Sequence, residues 1–227
     1  MKHTILFLAA NPSGTDRLAL DREARAIQAE LERSCHRDRF EFETRWAAEP
    51  LDLLRELRKL KPTVVHFSGH GGQHGLCFHG LDGRPQVVST AALETAFGAA
   101  GSSVKLVVLN ACYTEPHADA LLAHVGCVVG TNGLLPDTAA RSFAVGFYGG
   151  LGERESVAAA YKQGCAAISL ESTPGGTFRD GEGPYPELWK ECPRPQLKVC
   201  SGVDADCLVL ADSSVGPSPP ARAPGRA

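Results

Sequence analysis

One histidine and one cysteine of this chain each lie in a small polar loop that directly follows a run of apolar residues. His70 follows residues 64–67 and has glycines on both sides, and Cys112 follows residues 104–109. A cysteine attacks as the thiolate, and the ordinary thiol pKa of about 8.5 leaves only a few per cent ionised at neutral pH. An adjacent imidazole that takes the proton removes this obstacle. The pair predicts nucleophilic catalysis, with His70 as the base and Cys112 as the nucleophile.

Both apolar runs are typical of buried parallel strands, which deliver their loops at the carboxyl edge of an open sheet. The histidine and the cysteine are 42 residues apart, which suits two neighbouring strands joined by a hairpin and a helix. We therefore expect the two loops to meet at one edge of a sheet. Backbone donors for a developing oxyanion are then available from the N–H groups of Gly71 and Cys112. Substrate would lie between the loops, against Ser68, Gly69 and Tyr113.

The rest of the pattern predicts an α/β fold, with a mostly parallel β-sheet flanked by helices on both faces. Strands are expected at residues 5–10, 39–46 (an edge strand), 64–67, 104–109 and 125–130, with a hairpin at residues 76–88. Helices are expected at residues 20–31, 51–60, 90–97, 118–124, 137–151 and 156–168. The prediction rests on the alternation of strands and helices along the chain. Short apolar runs or segments with period 2 alternate with segments in which the apolar residues have helical spacing.

Three segments are expected along the chain. Residues 1–170 form the core, and residues 171–212 form an extension in which 175–185 provides one wall of the cleft and 197–199 and 207–210 are late strands. Residues 213–227 are rich in proline and should be a disordered tail.

Charge and cysteine usage exclude several other classes of function. The net charge of -3 provides no basic field, so neither nucleic acid nor an anionic membrane is an expected partner. The first apolar run is too short for a signal peptide or a membrane span, which predicts a cytoplasmic protein. The eight cysteines contain no C-x-x-C pair and predict reduced thiols, with no metal and no cofactor.

The other histidines and cysteines have simpler interpretations. His66 lies inside an apolar strand and is predicted to be a packed core residue, whereas His74 and His79 are predicted to lie at the surface. Small buried core thiols are predicted at Cys77, Cys127 and Cys165.

Residues 66–71 and 109–114 together resemble the histidine and cysteine motifs of the CHAT family, bacterial caspase-like cysteine peptidases related to caspases, metacaspases and separase. Residues 5–12 and the stretch from 130 to 151 are similar to the same family, and the likeness covers roughly residues 2–170. It implies a caspase-hemoglobinase fold and a His70–Cys112 dyad that needs no metal. It also implies that Asn110 lines the primary specificity pocket. A neutral Asn110 does not favour cleavage after a basic residue.

The resemblance further implies a protein or peptide substrate, a role in bacterial defence or regulated cell death, and activation by a separate sensor protein. Two alternatives remain open. The chain could be a catalytically idle caspase-like module that binds a partner through the same groove. A nucleotide-binding α/β domain is the weaker alternative, because no G-x-G-x-x-G or P-loop pattern is present.

Overall fold

The structure is a computed structural model and describes residues 2–171 and 194–211. Its strands are β1 (His3–Ala10), β2 (Phe40–Arg45), β3 (Val64–Gly69), β4 (Gly71–Gly72), β5 (Gly75–His79), β6 (Pro85–Val88), β7 (Leu106–Asn110), β8 (Cys127–Gly130) and β9 (Gln196–Val199). Its helices are α1 (Leu20–Arg33), α2 (Pro50–Leu60), α3 (Thr90–Ala100), α4 (Glu115–Leu121), α5 (Asp137–Gly152) and α6 (Val157–Glu171).

Six strands form the main sheet in the order β2-β1-β3-β7-β8-β9. The first five are parallel, and β9 pairs antiparallel with β8. The crossovers put β3 and β7 next to each other in the middle, where helices cover both faces and every residue of the two strands is buried. The two loops of interest therefore leave the sheet side by side.

Helices cover both faces of this sheet, as the alternation of apolar patterns predicted. One face packs Ile5 and Phe7 against α1, α5 and α6, and the opposite face packs Leu6 and Leu8 against α2, α3, α4 and the small sheet of β4, β5 and β6. Successive side chains of a strand point to opposite faces, so β1 contributes to both cores. The α/β fold with a mostly parallel sheet is confirmed.

The carboxyl-terminal part of the described chain differs from expectation in one respect. The late strand predicted at residues 197–199 is present as β9, but the segment at 207–210 forms no strand and makes one isolated bridge, between Ser156 and Val209. The predicted cleft wall at 175–185 and the predicted tail at 213–227 lie outside the described residues.

Candidate active site

The register between β3 and β7 brings the histidine and cysteine loops to the same level of the sheet. Ser68 is paired with Asn110 at the carboxyl ends of these parallel strands. His70 and Cys112 each follow two residues later, so the loops begin at equal height along neighbouring strands. Both residues are partly accessible to solvent.

Gly71 brings the two loops into direct contact. A Cβ atom at this position would lie only 2.7 Å from the carbonyl oxygen of Cys112, 3.0 Å from the Cβ of Ala111 and 3.2 Å from the Cγ2 of Thr114. Only a residue without a side chain allows the backbones to approach this closely. Glycine after His70 is therefore a requirement of the site's geometry.

A tight turn presents the Cys112 side chain at the sheet edge. Tyr113 has a left-handed backbone (φ 54°), an uncommon conformation for a residue with a side chain, and its N–H donates to the carbonyl of Gly133 at 3.1 Å. The N–H of Leu135 donates to the Cys112 sulfur at 3.4 Å. A donor aimed at the sulfur stabilises negative charge there, as a thiolate would require.

The His70 ring is oriented through one nitrogen. Its Nε2 lies 2.9 Å from the carbonyl oxygen of Asp16 and 3.1 Å from Oδ1 of Asn11. A carbonyl oxygen only accepts hydrogen bonds, so Nε2 carries the proton. In the neutral ring this leaves the lone pair on Nδ1, the nitrogen that can accept a proton.

Ser68 and Asn110, which we expected to contact substrate, have their polar groups turned into the protein. The Ser68 hydroxyl donates to Oε2 of Glu23 at 2.5 Å, and the Asn110 amide donates to Oε1 of Glu23 at 2.5 Å and to the Ala140 carbonyl at 3.3 Å. The exposed fractions are 1% for Ser68 and 6% for Asn110. A contact between either side chain and substrate stays a prediction.

The other two residues expected to contact substrate differ in their access to it. Gly69 is buried in β3, where a Cβ would lie 2.5 Å from the carbonyl oxygen of Ala10. Tyr113 is partly accessible in the turn after the cysteine. Their role toward substrate also stays a prediction.

The carboxylate of Glu23 belongs to a buried polar network beneath the two loops. It accepts from His66 Nε2 at 2.9 Å, and His66 Nδ1 lies 2.9 Å from the Tyr148 hydroxyl. Burial alone would raise the pKa of Glu23, but the hydrogen bond and charge of His66 and the hydrogen bonds from Ser68 and Asn110 outweigh it and lower the pKa. Burial, with the nearby Glu23 charge, raises the pKa of Tyr148 well above its ordinary value. The carboxylate is thus ionised and the phenol neutral.

A second buried histidine supports the glycine loop. His117 on α4 makes a 2.6 Å hydrogen bond between Nδ1 and the Thr90 hydroxyl, and its Nε2–H donates to the Gly72 carbonyl at 2.8 Å. This bond ties the loop after His70 to α4, which follows the Cys112 loop. His117 therefore connects the loop that follows His70 to the helix that follows the Cys112 loop.

The remaining histidines and cysteines largely follow their simple interpretations. His66 is buried and His74 is exposed, while His79 is partly buried and accepts the N–H of Asn11 through Nε2 at 3.1 Å. Cys77 and Cys127 are buried, and Cys165 is partly buried. Burial, with a smaller effect of Cys200, raises the pKa of Cys127 to about 11, which makes that thiol a poor nucleophile at neutral pH.

Sequence reasoning missed Asn11, Glu23 and His117. Glu23 had a readable signal, because it lies on the same face of its helix as Leu20 and Ile27, where an acid needs a buried partner. The roles of Asn11 and His117 depend on which loops meet in space, and their local sequence carries no such signal.

Two absences hold for residues 2–171 and 194–211. No helix there is long and apolar enough to cross a membrane. No group of three or more His, Cys, Asp or Glu side chains in these ranges could hold a metal ion.

Solved structures with a similar fold are caspase-like cysteine proteases. A secreted C11 cysteine protease from Bacteroides thetaiotaomicron, in complex with an irreversible peptide inhibitor, aligns with a TM-score of 0.57 at 13% identity, over 78% of this chain and 62% of that one. Caspase-1 from Spodoptera frugiperda aligns with a TM-score of 0.53 at 9% identity, over 87% of this chain and 86% of that one. The fold is therefore caspase-like.

Within that fold class, the sequence defines a particular family. The CHAT domain family matches residues 6–173, most of the chain, and the chain belongs to this family. The resemblance seen in the histidine and cysteine motifs is confirmed.

Two curated relatives carry protease names. One, called Roc-COR-CHAT protease, from an unknown prokaryotic organism, is 26% identical over 182 residues, 77% of this chain and 17% of the relative. The other, called probable protease, from Gillisia limnaea, is 24% identical over 147 residues, 63% of this chain and 26% of the relative. The matched part of this chain thus spans about a sixth of the length of the first relative and about a quarter of the second.

Proposed function

We propose that this chain is a caspase-like cysteine endopeptidase, with His70 as the base and Cys112 as the nucleophile. One observation carries the proposal: the paired ends of β3 and β7 start the two loops at the same height, with Gly71 against the Cys112 carbonyl. The family, the caspase-like fold and the protease names of the relatives support the same conclusion.

The proton of the Cys112 thiol passes to Nδ1 of His70, because Nε2 already donates to Asp16. The thiolate attacks the scissile carbonyl carbon, and the carbonyl oxygen takes up negative charge. The N–H groups of Gly71 and Cys112 are proposed to hold this oxygen. His70 then protonates the leaving amine, which leaves a thioester on Cys112. A water molecule deprotonated by His70 attacks the thioester and releases the acid product.

Substrate is proposed to cross the sheet edge between the two loops, next to Tyr113. Ser68 and Asn110 lie beneath this path, and their side chains are engaged by Glu23. In the proposal they support the loops, and the backbone of the loops makes the closer contact with the peptide.

The finer biological role is also a proposal. The membership in the CHAT family and the protease names of the relatives support this proposal: the chain cleaves a partner protein in bacterial defence or regulated cell death, after activation by a separate sensor protein.

A peptide-library cleavage assay, run with and without an electrophilic peptide probe, tests the proposed activity. We expect basal cleavage by the purified chain, below the rate reached with the proposed sensor, together with labelling of Cys112 by the probe. Cys112→Ala and His70→Ala should each lose at least a thousandfold of this cleavage. Cys35→Ala is the matched control, because Cys35 is a free and exposed thiol outside the site. Probe reaction no faster at Cys112 than at Cys35, with no Cys112-dependent cleavage, would favour the idle module.

A further inference from the structure

The carboxylate of Glu23 contacts both β3 and β7, the strands that precede the His70 and Cys112 loops. Glu23 lies on α1, is only 2% exposed, and accepts from Ser68 on β3 and from Asn110 on β7. These two residues are the last register pair between the strands. A single side chain therefore bridges the strands at the level where both loops begin.

Each end of this bridge lies two residues before one of the reactive side chains in the sequence. Ser68 precedes His70 by two residues, and Asn110 precedes Cys112 by two residues. Main-chain pairing of β3 and β7 ends at Ser68 and Asn110, so beyond that level side chains and loop packing must set the spacing of the loops. The hydrogen bonds of Glu23 therefore hold the two strands together at the level where the main-chain pairing of the sheet ends.

We propose that Glu23 is a positioning residue for the proposed peptidase reaction, and that it holds His70 and Cys112 in register by binding Ser68 and Asn110 together. The inference rests on the proposed function. Hydrogen bonds to an ionised acceptor are about twice as strong as bonds between neutral groups. The charged carboxylate therefore fixes two strand ends more firmly than a neutral amide of the same shape.

The far end of the same network provides a matched control. Tyr148 bonds to His66 and makes no hydrogen bond to Ser68 or Asn110. Tyr148→Phe removes one buried hydroxyl and leaves the bridge in place. A change that comes only from weakening the core should therefore appear in Tyr148→Phe as well as in Glu23 variants.

The experiment compares Glu23→Gln, Ser68→Ala and Tyr148→Phe in the full chain. We measure thermal stability, kcat and KM on a peptide that the wild-type chain cleaves, and the rate of Cys112 alkylation by iodoacetamide as a function of pH. We expect Glu23→Gln and Ser68→Ala to lower kcat about tenfold with KM within about twofold, because a small displacement of reacting groups costs rate. Their Cys112 alkylation profile should move toward that of a free thiol.

Tyr148→Phe should lose thermal stability and keep both kcat and the alkylation profile. The inference is overturned if Glu23→Gln and Ser68→Ala match Tyr148→Phe in kcat and in the profile, at equal folded fractions. Ser68→Ala keeps the test decisive if Glu23→Gln does not fold.

The outcomes separate the two proposals. Absence of Cys112-dependent cleavage in the wild-type chain contradicts the proposed function, whereas normal cleavage by Glu23→Gln and Ser68→Ala contradicts only the positioning role. The alkylation profile needs no peptide substrate, so it tests whether Glu23 affects the environment of Cys112 independently of the cleavage assay.

Discussion

Replacing Gly71 by alanine tests whether the two loops must touch. The added Cβ would lie 2.7 Å from the Cys112 carbonyl oxygen. A carbon–oxygen contact needs about 3.3 Å, so the loops must separate by about 0.6 Å. Since a displacement of about 1 Å can cost about a hundredfold in rate, we expect kcat/KM to fall by roughly tenfold.

Gly72→Ala is the matched control for this change. A Cβ at Gly72 would meet no atom within 4 Å, so the same substitution one residue later adds no contact. Both variants lose a glycine from the same short strand, β4, and so share any effect on the unfolded chain. The contrast isolates the contact with the Cys112 carbonyl.

The assay is steady-state cleavage of a peptide whose hydrolysis depends on Cys112, together with thermal unfolding. Overpacking at Gly71 should also destabilise the protein by about 1–3 kcal/mol, so activity is compared below the unfolding transition of both variants. If Gly71→Ala and Gly72→Ala cleave at rates within twofold of each other, the close approach of the loops does not matter for the reaction.

Three further changes test other parts of the structure. Asn11→Ala removes one of the two oxygens at His70 Nε2 and should lower kcat several-fold with little change in KM, by steady-state kinetics; an unchanged kcat contradicts its role. Because the pKa of Glu23 is lowered in the folded state, its contribution to stability is present above the unfolded value of about 4.3 and is lost as pH falls through the folded value. Urea unfolding should thus show a steeper acid loss in wild type than in Glu23→Gln, and equal slopes would contradict this. Gly146→Ala places a Cβ 2.5 Å from a backbone carbonyl oxygen of α6 and should lower Tm. Gly149→Ala places a Cβ 3.7 Å from its nearest neighbour and should raise Tm, because alanine has the higher helix propensity. The reverse order of the two Tm values in thermal unfolding would contradict the α5–α6 packing.

Much of the fold follows from short-range pattern. The apolar runs and helical spacings predict most strands and helices of the described chain, because an element that buries one face must carry apolar residues at its own period. Pattern does not reveal pairing direction, so β9 was expected as a strand without its antiparallel pairing to β8. At residues 207–210 the short apolar run predicts a strand that the structure does not contain. The segment makes only one isolated bridge, so it has no neighbouring strand to pair with.

The candidate dyad illustrates the same division. Local sequence is enough to single out His70 and Cys112, because each follows a buried strand into a polar loop. It is not enough to find Asn11 or His117, since their partners lie 59 and 45 residues away in the chain.

By itself, the sequence determined which side chains stand at the strand ends and that those strands belong to an α/β sheet. Only the tertiary structure decided that Ser68 and Asn110 turn inward to Glu23 and that Gly71 packs on the Cys112 carbonyl. The physical reason is that strand and helix periods depend on neighbours along the chain. The spacing of two loops depends on sheet register and on contacts between distant segments, which no local pattern encodes.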